Sequence, residues 1–67
     1  MDFLEKARVR LEHWLEHNED HREEYEKFAE LLEAEGKGET AAYVRETAEL
    51  TARSTEALEK ALETLKS

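Results

Sequence analysis

Leu4, Leu11, Asn18, Tyr25 and Leu32 stand seven residues apart, and Ala7, Trp14, His21 and Phe28 form a companion row in step with them. A heptad held this long belongs to a helix that presents one continuous stripe to a neighbouring helix. Asn18 places a polar residue in the stripe without shifting its phase, so the pattern predicts one helix from about Asp2 to about Glu35. Such a helix is roughly 50 Å long at about 1.5 Å per residue. Asp2-Phe3-Leu4-Glu5 has the spacing of a capping box, with Asp in place of Ser or Thr.

Proline is absent, and the only two glycines flank Lys37 in Gly36-Lys37-Gly38. Gly36 reads as the left-handed residue that closes the first helix. Glu39 complements the positive end of a second helix, capped by Thr40 or Gly38. That second helix, about 40–65, repeats the design with smaller side chains. Ala41, Ala48, Thr55 and Leu62 make one row, and Val44, Thr51, Leu58 and Leu65 the other. Thr51-Ala52-Arg53-Ser54-Thr55 is its weakest stretch, because threonine is a mediocre helix former, yet the phase survives it. The fold class predicted is all-α: an antiparallel two-helix hairpin forming a single domain, 1–67.

Folding the arms about Lys37 opposes residues whose numbers sum to about 74. Asn18 and His21 then come opposite Arg53, Ser54 and Thr55, in a polar layer between apolar ends, with Trp14 and Tyr25 above and below it. The structural reading of Asn18 is a polar seam residue that sets register. Trp14, Tyr25 and Phe28 read most simply as core aromatics. Two helices leave one side of such a seam open, which predicts a homodimer in the form of a four-helix bundle. A chain of 67 residues buries only about 60% of its unfolded surface, and it has no cysteine to staple it. Self-association, or a metal held by histidine and carboxylate, is the remaining remedy.

Eighteen acidic against ten basic residues give a net charge of −8 with neutral histidines. No basic stripe offsets this, so nucleic acid and anionic membrane surfaces are disfavoured as partners. No apolar run approaches the roughly 20 residues of a bilayer span. The start, Met1-Asp2-Phe3-Leu4-Glu5, has neither the basic nor the apolar part of a signal peptide. A cytoplasmic protein is expected, with a second copy of itself, or another protein, as partner.

His13, His17 and His21 are the only histidines, and each lies one helical turn after the last. Residues four apart share a helix face, so His13–His17 and His17–His21 are both chelating pairs. Imidazole suits nickel, zinc, cobalt or copper. His13 and His21 are roughly 12 Å apart along the axis, too far to share one ion on a straight helix. The expected site is His17 and His21, with Glu24 one turn on and further ligands from a second copy or the other arm. The competing reading makes all three polar surface residues, with His21 hydrogen-bonded in the polar layer.

His13-Trp14-Leu15-Glu16-His17 also spells the H-x-x-E-H of inverted zinc proteases. A hairpin offers no cleft for a substrate, so the match carries no catalytic reading. The Glu-x-x-His of di-iron bundles is missing, because Arg10, Trp14 and Asn18 precede the histidines at that spacing. No Ser-His-Asp set or phosphate loop is present. A non-catalytic protein is expected, one that buffers or delivers a divalent transition metal, or else a structural pairing module.

The segment Leu11-Glu12-His13-Trp14-Leu15-Glu16-His17-Asn18-Glu19-Asp20-His21, followed by Tyr25 and Phe28, resembles a signature of small uncharacterised helical domains in bacteria and archaea. Some of these are associated with accessory proteins for nickel or cobalt. The likeness covers about a sixth of the chain, and no ligand is carried over from it. What it implies is a transition metal.

Overall fold

The computed structural model describes residues 2–67; Met1, the first residue of the expected domain, lies outside the described residues. Helix α1 runs Phe3–Ala34 and helix α2 Gly38–Lys66. They fold back on each other as an antiparallel hairpin 51 Å long, 17 Å wide and 11 Å deep.

The ends form as the local chemistry requires. Asp2 is extended, and its carboxylate accepts from the Glu5 N–H at 2.9 Å, satisfying one of the donors left over at the start of α1. At the other end the Lys37 N–H donates to the Leu32 carbonyl at 2.9 Å, and the Gly36 N–H to the Glu33 carbonyl at 3.0 Å. That double bond is a Schellman closure, and it needs Gly36 at φ +78°. Helix α2 starts earlier than expected, at Gly38. Its N-cap is Lys37, whose carbonyl accepts from the Ala41 N–H at 2.9 Å without a side-chain cap. The Schellman turn already aims the chain at α1, so neither Thr40 nor Gly38 is needed as a cap. In the threonine-rich stretch the Thr47, Thr51 and Thr55 hydroxyls donate to the carbonyls four residues back, at 2.9–3.1 Å, and the helix continues through them.

Both expected rows of α2 face α1. Ala41 and Ala48 are buried, and Val44, Thr51, Thr55, Leu58, Leu62 and Leu65 are half-buried. On α1 Leu11, Asn18, Tyr25 and Leu32 of the first row also face the partner helix, whereas Leu4, at the open end of the hairpin, is exposed. The companion row does not. Leu15, Arg22 and Ala29 take its place, and of the expected set only Ala7 is even half-buried. The cause lies in α2, where alanines at 41 and 48 allow close approach and draw in Ala29, the smallest residue available. Trp14 and Phe28 are too large for that gap. They are 47% and 55% exposed, so they are not core aromatics in the single hairpin.

This one-position change of row turns α1 by about 50° about its axis. The hairpin acquires two unlike broad faces as a result. On one, Glu5, Glu12, Glu19, Glu26 and Glu33 recur every seven residues beside Arg45 of α2, which pairs with Glu33. On the other lie Phe3, Trp14, Phe28 and Leu31 from α1, with Tyr43 and Leu50 from α2. Near the open end of the hairpin this second face forms a groove between Phe3, Ala7 and Trp14 on one side and Ala61 and Thr64 on the other.

Candidate metal centre

The continuous helix across residues 13–25 sets the histidines in a ridge on α1. All three are exposed. The His13 and His17 rings are 4.2 Å apart between centroids and tilted by 47°, while His17 and His21 are 6.2 Å apart and edge-on. His21 stacks on Tyr25 at 6.2 Å, and its Nδ1 lies 3.5 Å from a Glu24 carboxylate oxygen. His13, His17, His21 and Glu24 are thus neighbours in sequence order along one helix.

The turn of α1 decides where each one points. His21, expected in the seam, lies instead on the broad apolar face, because Arg22 occupies the seam position. His17 sits beside it on the same face, and His13 falls at the lateral edge away from α2. The polar layer therefore contains Asn18, Arg22, Thr51 and Thr55 without His21. Asn18 Nδ2 donates to Ser54 Oγ at 3.1 Å, the register expected within two residues.

A four-coordinate transition ion held at about 2.0–2.1 Å needs its nitrogen ligands roughly 3.3 Å apart. The nearest two rings of the ridge, His13 and His17, have their centroids 4.2 Å apart. Among the described residues no group of three or more histidine, cysteine, aspartate or glutamate side chains converges. Imidazole is a donor type that suits zinc, nickel, cobalt or copper, and the ridge sets such donors side by side on one helix.

Arg22 is the site residue that the sequence reading missed. It pairs with Glu19 and, at 2.9 Å, with Glu26, and its stem covers the seam. The Arg22 hydrogen bond pulls the Glu19 carboxyl below its ordinary range, and Glu19 raises Arg22 in turn. The signal was present in the sequence as glutamates three before and four after an arginine. As acid neutralises Glu19, that support for Arg22 is withdrawn; at neutral pH it is fully present.

Asn18→Leu tests the polar layer. Leucine would extend the Leu11, Tyr25, Leu32 row and lose only the Ser54 bond. The expected result is a thermal midpoint raised by roughly 4–8 °C, about 1 kcal/mol, with several assembly states in sedimentation velocity against a single one expected for the native chain. A lower midpoint with a single unchanged species would contradict a register-setting role.

No described helix is long and apolar enough to cross a membrane. No curated protein and no solved structure matches the chain. A family model does match, over residues 7–65, which takes in both helices, the turn and all three histidines. The chain belongs to the family described as Domain of unknown function (DUF8180).

Proposed function

We propose that this hairpin is a non-catalytic helical pairing module whose partner is a second copy of itself, the two hairpins stacking as a four-helix bundle. One observation carries the reading. Among the described residues only Ala29, Ala41 and Ala48 are buried, while six of the eight exposed large apolar side chains share one face. A domain with no buried side chain larger than alanine has little to offset its chain entropy, and a broad apolar face is the surface whose burial makes up the deficit. The expected test result is a thermal midpoint that falls with each tenfold dilution, because dissociation and unfolding are coupled. A midpoint independent of concentration over two decades would refute self-pairing.

A second reading is uptake of a divalent transition metal for buffering or delivery, and the neighbouring imidazoles of His13, His17 and His21 favour it. The resemblance to domains associated with nickel or cobalt points the same way. Imidazole must be neutral to bind, so uptake should weaken steeply on acidification below neutrality. Replacing His17 and His21 together by alanine should abolish uptake and leave the helix content near normal. Unchanged stoichiometry in that variant would eliminate the site.

A further inference from the structure

We propose that His13 and His17 form an open two-imidazole site on the outer edge of α1, which takes one divalent transition ion per chain and leaves its remaining positions to water or to a donor on another molecule. This rests on the metal-uptake reading, names the ligating pair, and makes the site one that hands an ion on.

Ring positions select the pair. An imidazole nitrogen lies roughly 1.2 Å from its ring centre, and two such nitrogens must come to about 3.3 Å to share a tetrahedral ion. The His13 and His17 centres are 4.2 Å apart, so turning the two rings where they stand can bring a nitrogen of each to that spacing. The His17 and His21 centres are 6.2 Å apart. Turning those rings brings their nitrogens no closer than roughly 3.8 Å, so one ring would have to travel.

Neighbouring side chains select the same pair. The His21 ring stacks on Tyr25, and its Nδ1 lies 3.5 Å from a Glu24 carboxylate oxygen. That is the one histidine ion pair among the described residues, and His13 and His17 are both exposed. Helix α1 is continuous from Phe3 to Ala34, so the spacing of four holds these two rings one turn apart on one side. Helical histidine pairs of this spacing are a known way of gripping zinc.

Charge favours a cation at this edge. Two neutral imidazoles bring no charge of their own to offset an ion of +2. Glu16 follows His13 by three residues and Asp20 follows His17 by three, which sets a carboxylate within one turn of each ring. From residue 10 to residue 21 there are four carboxylates and a single cation, Arg10. Glu12 and Glu19 of that set are engaged by Arg8 and Arg22, so Glu16 and Asp20 supply the local field.

The site is open by construction. His13 stands on the lateral edge away from α2, and among the described residues no third histidine or carboxylate converges on the pair. A structural ion is closed in by four protein ligands, whereas free positions admit an incoming donor. A group on a second molecule can therefore bind the ion before the imidazoles release it. Neutral imidazoles suit zinc, cobalt, nickel or copper and do not suit calcium or magnesium.

Zinc titrated into the native chain should bind at one ion per chain in calorimetry. The ring resonances of His13 and His17 should move in NMR spectra, and those of His21 should stay in place. His13→Ala should weaken uptake by about tenfold or more, the least that even an outer partner of a bound ion is worth. His21→Ala should leave uptake as it is in the native chain. Both positions are exposed, so both variants should keep the native helix content in circular dichroism. Uptake lost in His21→Ala and kept in His13→Ala would overturn this pair and leave metal uptake standing. One zinc per two chains would overturn the open site. A native chain that takes up no zinc would overturn metal uptake and this inference together.

Discussion

Trp14→Ala combined with Phe28→Ala should raise the dimer dissociation constant by about 10²–10⁴-fold. Both side chains are roughly half-exposed in the single hairpin, at 47% and 55%, and both lie on the face assigned to the second copy. Seating that copy buries each of them twice. Recovering even part of the ~1.5–3 kcal/mol for burying a large apolar side chain, at four positions, gives about 3–6 kcal/mol per dimer, which is that range of affinity. Alanine is also the better helix former, so the hairpin itself loses nothing in propensity. The readout is the thermal midpoint against concentration, with sedimentation as a check. If Trp14 and Phe28 are only surface residues of a monomer, the double variant melts like the native chain.

Ala48→Leu should instead damage the hairpin. Ala48 is 3% exposed in the α1–α2 seam, and Ala29 and Ala41 are completely buried in the same seam. Three more carbons cannot enter without driving the helices apart or forcing side chains off their rotamers, at a cost of about 1–3 kcal/mol. For a chain of this size that lowers the midpoint by roughly 4–20 °C. Glu56→Leu, made at an exposed position of the same helix outside the apolar face, is the control and should leave the hairpin intact. An Ala48→Leu variant as stable as the native chain would mean that the helices do not meet through their alanines.

These two variants also separate what was legible in the sequence from what was not. The hairpin was legible, because the heptads on either side of Gly36 and Gly38 keep their phase, and both rows of α2 face α1 as expected. The Leu11, Asn18, Tyr25, Leu32 row was legible for the same reason. The other row of α1 was not. Arg8, Leu15, Arg22 and Ala29 read as a polar mixture beside Trp14 and Phe28, and hydropathy alone favours the aromatics. Packing favours Ala29, because two helices lined with alanine approach too closely to hold an indole or a phenyl ring between them. An aromatic row read as the seam within the hairpin therefore became its exposed flank. The histidine ridge was legible from its spacing of four, whereas its facing depended on that same turn of α1, which moved His21 from the seam to the flank and put Arg22 in its place.

Sedimentation equilibrium of the native chain at low micromolar concentration, with zinc removed by chelator, measures self-pairing most directly. The expected mass is twice the 7.8 kDa of the chain, from a face-to-face pair whose apolar sides are both covered. A mass of 7.8 kDa, from a chain that still melts in one cooperative step, would show that the hairpin is stable with Trp14, Phe28 and Leu31 in water, and would contradict the pairing.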